Sequence, residues 1–320
     1  MNNKTAVILK PRLDIPFKNN GVPVPEVVGA PNHPVRLHWE RFVHKLTKKL
    51  YESDYEVVVV ERPMWTMNFD LVRELAADIT FVPHRDPNSF ANGNEHSNVY
   101  YYMQTVFPHL FSINRCGWGG DAAADEGLTF RNYCVPDKSF EEYRSAIDRN
   151  ESKFPQPNND NLLPFDNYVL FTCQIPHDQT IKLHSNVEVI DGLKSVLEFT
   201  KKWGLNLIVK GHPINSGSMV NLKALTKEYP HARWVLEEHS IHKLLKNCEA
   251  LFTVNSGTGM EGILHKKPVY IFGRADYSDI VVTVEPNYDS IRGKWKTADQ
   301  KVPKYEQMFD RYVYNHFDTR

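Results

Sequence analysis

Short apolar runs recur along the chain, and most are followed by a polar or glycine-bearing turn and then by apolar positions at helical spacing. In the first half, TAVILK (5–10) and YEVVVVER (55–62) read as buried strands, and 35–53 between them is patterned as an amphipathic helix. Residues 70–84 add a short helix and a strand, and FSINRCGWGGDAA (111–123) a further strand ending in glycines. This alternation predicts a parallel sheet covered by helices.

At SKFPQPNNDNLLPFDN (152–167) the periodicity stops and prolines and asparagines crowd together, which places an interdomain linker there. Beyond it the pattern becomes regular. Strands are expected at 168–174, 206–213, 232–238, 250–255 and 268–273, with helices at 186–204, 221–230, 241–248 and 259–267 between them. Five strands alternating with helices describe a Rossmann-like domain. The expected division is 1–160 as an acceptor-side domain, 161–300 as a nucleotide-sugar-binding domain, and 301–320 as a final helix packing back across the first domain. Two Rossmann-like domains whose parallel sheets face each other across a cleft make the α/β architecture called GT-B, on which many glycosyltransferases are built.

Composition narrows the picture. A length of 320 residues suits about two domains. Hydrophobic residues at 41%, charged residues at 24% and a formal net charge of −1 give no global imbalance that would recruit nucleic acid or an anionic membrane. The apolar run at 6–9 is cut off by Lys10 and Pro11, so neither a signal peptide nor an anchor fits, and the mature chain is expected to begin at Met1. Cys116, Cys134, Cys173 and Cys248 form no C-x-x-C pair, which disfavours a zinc ribbon and suits a reducing cytoplasm.

Ligands of open parallel sheets bind beyond the carboxyl ends of the strands. The second half places polar groups at four such ends: QIPHDQT with Gln174, His177 and Asp178; KGHP with Lys210 and His212; EEHS with Glu237 and Glu238; and NSGTGME. In the last, small hydroxylated and glycine residues open a helix, which suits a phosphate; alternatively, Ser256 caps the helix and the glycines merely permit the turn. It is neither a P-loop nor a G-x-G-x-x-G fingerprint. Asp178 is a candidate for catalysis or for a helix N-terminal acid, and His212 for a phosphate donor or a turn residue. His239 and His242 in HSIH lack the third partner a metal site needs.

The ordered set FTCQIPHDQTIKLHS, LIVKGHP and HSIHKLLKNCEALFTVNSGTGMEGILHKKPVYIFG resembles the capsule polysaccharide biosynthesis family, which includes bacterial Kdo transferases. INRCGWGGDAA in the first domain resembles it weakly. The resemblance implies a GT-B glycosyltransferase that takes a CMP-activated acidic sugar as donor substrate, without a metal or other cofactor, and a saccharide or glycolipid as acceptor. By the match, Gln174, Lys210, His212, Pro213, Ser256, Gly257, Thr258 and Glu261 would bind the nucleotide sugar: His212 and Pro213 near the nucleotide, Ser256, Gly257 and Thr258 on its phosphate, and Glu261 at the ribose. Asp178 would lie at the anomeric centre as nucleophile, giving retention, with Asp121 as the opposing acid and Glu95 behind it. Tyr100, Tyr101 and Tyr102 are candidates for stacking on sugar rings, although alternation along a strand makes half of such a run core. A cytoplasmic protein is implied, with peripheral association at the inner face of the membrane left open. Competing readings are a nucleotide-sugar epimerase or hydrolase, a non-catalytic nucleotide- or carbohydrate-binding module, and a metal-dependent hydrolase.

Overall fold

A computed structural model describes residues 4–12, 18–19, 22–23, 34–63, 66–83, 98–124, 139–153, 156–158, 161–212, 216–236 and 238–320. The chain forms two compact units, Met1–Cys134 with Tyr314–Arg320, and Val135–Val313.

In the first unit β1 (Lys4–Pro11), β2 (Tyr55–Arg62), β3 (Ile79–Pro83), β4 (Val99–Gln104) and β5 (Leu110–Asn114) form one sheet in the order β2-β1-β3-β4-β5. β1 pairs in parallel with β2 and β3, and β3 with β4. The expectation of a purely parallel sheet is corrected at the far edge, where β4 and β5 form an antiparallel pair. The cause is local: a connection of only five residues, 105–109, fits a hairpin, whereas a parallel crossover needs a dozen or more. The last strand, β12 (Phe317–Asp318), adds antiparallel to β5.

Helix α1 (Pro34–Tyr51) covers one face with Trp39, Phe42, Val43, Leu46 and Leu50, and Phe42 stacks on Phe111 at 4.3 Å between ring centroids. Tyr100 and Tyr102 point to that core, while Tyr101 joins the core on the other face, with Val7, Leu9 and Val82. All three tyrosines are therefore buried rather than half of them, because β4 is an interior strand covered on both sides. β2 corrects the opposite way: expected buried, it lies at the sheet edge with Val58 and Val59 each 42% exposed.

The second unit holds β6 (Val169–Thr172), β7 (Leu207–Lys210), β8 (Ala232–Val235), β9 (Ala250–Thr253), β10 (Val269–Ile271) and β11 (Val282–Thr283) in the order β8-β7-β6-β9-β10-β11, every pair parallel. Counted from the first strand of the unit this is 3-2-1-4-5-6, the doubly wound order. The strands read as near-continuous apolar runs because helices cover both faces. On one face Val169, Phe171, Leu207, Val209 and Phe252 meet Leu193, Val196 and Leu197 of helix α5 (Val189–Trp203). Each such fully buried side chain is worth about 1.5–3 kcal/mol.

Two expected boundaries move. The compact second unit begins at Val135, so the segment expected as a linker lies inside it. Its polar atoms explain this: Ser152 Oγ donates to Glu261 Oε1 at 2.5 Å, and Asn161 Nδ2 to the Glu238 carbonyl at 3.1 Å. The final helix, α10 (Tyr305–Tyr314), belongs to the second unit as far as Val313. Phe309 meets Phe140 and Tyr143 of α3 (Ser139–Asp148) edge to face, and Tyr312 Oη donates to Asp276 Oδ2 at 2.8 Å. Only the short strand after it, β12, joins the first sheet.

Candidate functional site

The strand order of the second unit reverses between β6 and β9, the point where doubly wound sheets open a crevice for ligands. Gln174 and Asn255 stand just past the ends of these two strands and tie them together. Gln174 Nε2 donates to Asn255 Oδ1 at 2.8 Å, and the Asn255 backbone amide returns a bond to Gln174 Oε1 at 2.9 Å. Asn255 Nδ2 also donates to the Thr180 and Arg274 carbonyls at 2.9 and 3.3 Å. Both side chains are buried, so Gln174 acts here as a bracket for the rim. Nothing in the sequence pattern singles out Asn255; its only signal is an amide side chain closing an apolar strand opposite Gln174.

NSGTGME forms the turn into helix α8 (Thr258–Leu264). Thr258 Oγ1 lies 2.7 Å from Thr172 Oγ1, and Ser256 Oγ accepts from the Thr258 amide at 3.3 Å; the N-cap itself is Gly257, which brings no side-chain cap, so Ser256 is not the cap residue. Ser256, Gly257 and Thr258 are all half-buried. Tyr277 Oη donates to the Ser256 carbonyl, and a Cβ on Gly259 would stand 2.4 Å from that Oη. Gly259 thus makes room for Tyr277, which holds the Ser256 turn in place.

At the end of β7, Lys210 Nζ donates to the Leu236 and His239 carbonyls and so fixes the loop after β8. Gly211 leaves space for Trp234, whose Cζ2 would be 2.5 Å from an added Cβ. His212 is half-buried, with its backbone amide donating to Met219 Sδ at 3.2 Å. Pro213, like Glu95 and Glu237, lies outside the described residues.

Asp178 is the N-cap of helix α4 (Gln179–His184): its Oδ1 accepts from the Thr180 amide at 2.8 Å and from the Thr180 hydroxyl. Glu261 is 4% exposed and accepts from Ser152. Burial raises its pKa, opposed by His242, the Ser152 hydroxyl and Lys210. His242 Nδ1 lies 3.3 Å from His265 Nε2, and His242 Nε2 lies 2.8 Å from the Glu151 carbonyl. Burial, with His242 and Arg144 adding to it, pushes the His265 pKa down to about 3. Asp121 belongs to the first unit, in the 3-10 turn Gly119–Ala124, packed against Gly117. The structure therefore brings Gln174, Asp178, Lys210, His212, Ser256, Gly257, Thr258 and Glu261 into one unit, and leaves Asp121 in the other.

Among the described residues no group of three or more His, Cys, Asp or Glu could hold a metal ion, and no helix is long and apolar enough to cross a membrane.

Residues 137–317 match the family described as "Capsule polysaccharide biosynthesis protein". The chain is 31% identical over 119 residues to the capsule polysaccharide export protein KpsS of Escherichia coli, covering 34% of this chain and 31% of that protein. It is 26% identical over 160 residues to the capsule polysaccharide modification protein LipB of Neisseria meningitidis, covering 48% and 35%. The chain thus spans about a third of the length of these curated relatives. Among solved structures it is similar in fold to Thermosulfurimonas dismutans KpsC, "beta Kdo 2,4 transferase", with a TM-score of 0.51 and 16% identity over 87% of this chain and 82% of that one. That fold agrees with the α/β, GT-B-like fold class expected for the chain. With more than half of its residues matched, spanning the whole rim of the second sheet, the chain belongs to the capsule polysaccharide biosynthesis protein family.

Proposed function

We propose that the chain is a glycosyltransferase that moves Kdo or a related acidic sugar from a CMP-activated donor to a saccharide or glycolipid acceptor in surface polysaccharide biosynthesis. The observation that carries this reading is the doubly wound switch point, where the Gln174–Asn255 bracket fixes the rim beside Ser256 and Thr258. Hydroxyl donors and a glycine turn at such a point suit a nucleotide phosphate. Family membership supplies the capsule context, and the KpsC likeness suggests the sugar.

In this reading Ser256, Gly257 and Thr258 hold the phosphate, while His212 and Pro213 lie near the nucleotide and Glu261 near the ribose. Asp178 attacks the anomeric carbon through the oxygen not used by the helix cap. A carbon–oxygen bond to the carboxylate forms as the bond to phosphate breaks, and CMP leaves with the electron pair. The acceptor hydroxyl then displaces Asp178 and gives up its proton to a base, so that configuration is retained. The donor is a substrate, and no resident cofactor takes part. Cytoplasmic work at the inner face of the membrane fits an acceptor carried on lipid.

Calorimetric titration with CMP tests the reading. Wild-type protein is expected to bind CMP and His212→Ala to bind it about tenfold more weakly, a loss of about 1.4 kcal/mol. Asp178→Asn, which preserves the cap oxygen, should keep CMP affinity and lose sugar transfer. Absence of nucleotide binding by the wild type would sink the proposal.

A further inference from the structure

The segment after α3 is fastened to the second unit on both sides of Lys153. Ser240 Oγ donates to Asn150 Oδ1 at 2.5 Å, His242 Nε2 lies 2.8 Å from the Glu151 carbonyl, and Ser152 Oγ donates to buried Glu261. Further along, the Ile241 amide donates to Gln156 Oε1 at 2.9 Å. None of these bonds involves the Lys153 side chain. It is half-buried and makes no hydrogen bond or ion pair among the described residues. The carboxylate that acts on it is Asp178, which pulls its pKa up while burial pushes it down. Beside Asp178, His177 carries a buried Nε2 without a hydrogen-bond partner among the described residues.

A partly desolvated ammonium without a close partner is costly, and proteins normally provide one. Asp178 Oδ1 is committed to the Thr180 cap, and among the described residues no ion pair joins Asp178 to Lys153. Asp178 and His177, whose Nε2 is unpartnered, follow the carboxyl end of β6 at the strand-order reversal, and the Ser152–Glu261 bond ties the residue before Lys153 to the helix that NSGTGME opens on the same rim, within the electrostatic reach of Asp178.

We propose that Lys153 is a donor-binding residue, which receives an anionic group next to the anomeric carbon: the nucleotide phosphate or the carboxylate of the acidic sugar. The proposal rests on the CMP-sugar reading above and adds a residue to it. Ser152 and Glu261 then serve as positioning residues, because their bond sets where Lys153 stands.

Three ligands separate the sources. Binding of cytidine, CMP and a CMP-activated acidic sugar is measured for wild type, Lys153→Met and Lys153→Arg, with thermal unfolding as the check on folding; Lys153→Gln replaces the methionine variant if that one does not fold. A loss of tenfold or more in CMP affinity with cytidine unchanged, and partial rescue by arginine, assigns the phosphate. A loss confined to the CMP-sugar assigns the carboxylate. Equal changes on all three ligands, or none, in a wild type that binds CMP would overturn the role of Lys153 alone. A wild type that binds no cytidine nucleotide overturns this proposal together with the functional reading beneath it.

Discussion

Gln174 and Asn255 exchange two hydrogen bonds across the point where the second sheet reverses its strand order, side chain to side chain at 2.8 Å and backbone amide to side chain at 2.9 Å. Both residues are buried, and Asn255 extends the network to the Thr180 and Arg274 carbonyls. The pair joins four segments that border the proposed donor site.

Removing one partner should therefore leave buried polar groups unsatisfied. Gln174→Leu strands the Asn255 amide and Oδ1, and at about 1–3 kcal/mol per orphaned group the loss should be roughly 2–6 kcal/mol. Urea unfolding followed by circular dichroism measures it; a change under about half a kcal/mol would show that the bracket is dispensable.

Ser256→Ala removes a hydroxyl whose only described bond is a long one from the Thr258 amide. Stability should fall by about 1 kcal/mol or less, while CMP affinity drops several-fold. Gly259→Ala should behave differently. Its new Cβ would collide with the Tyr277 ring and hydroxyl, so both unfolding midpoint and CMP affinity should fall, by about 1–3 kcal/mol in stability.

Acid should weaken the second unit through His265. Its folded pKa of about 3 lies below the ordinary value of 6.5, so between those pH values the unfolded chain binds more protons than the folded one. Stability from this group is complete above about pH 6.5 and is lost as pH falls toward 3. Each tenfold difference in proton affinity between the unfolded and folded chain corresponds to about 1.4 kcal/mol at most. His265→Gln should flatten the stability profile across this window. Glu261 works with the opposite sign: its raised pKa makes stability fall as pH climbs above the ordinary carboxyl range, so Glu261→Gln should be at least as stable as wild type at neutral pH. Equilibrium denaturation in a pH series reads both effects.

Lys210→Met leaves the Leu236 and His239 carbonyls without their donor. The expected result is a loss of about 1–3 kcal/mol together with faster amide exchange in the loop after β8, seen by hydrogen exchange mass spectrometry. Unchanged exchange there would argue that Lys210 does not hold that loop.

Much of the second unit was legible in its pattern. Runs such as ALFT at Ala250–Thr253, followed by a turn and a helix, place β9 and α8 to within three residues, because buried parallel strands are continuously apolar and helices are not. The family likeness also followed from short ordered motifs. The first unit was harder to read. A strand of three tyrosines suggested one exposed face, but its neighbours cover both.

By itself the sequence determined that strands and helices alternate, that polar groups stand at the strand ends, and that NSGTGME opens a helix. Tertiary structure alone decided the order β8-β7-β6-β9-β10-β11, the antiparallel edge at β4 and β5, and the placing of Ser152–Glu261 inside the second unit. Hydrophobic periodicity records which face of an element is covered but not by what. Hydrogen bonds between residues 81 or 109 positions apart, as in Gln174–Asn255 and Ser152–Glu261, leave no periodic trace, so their partners emerge only when the chain is folded.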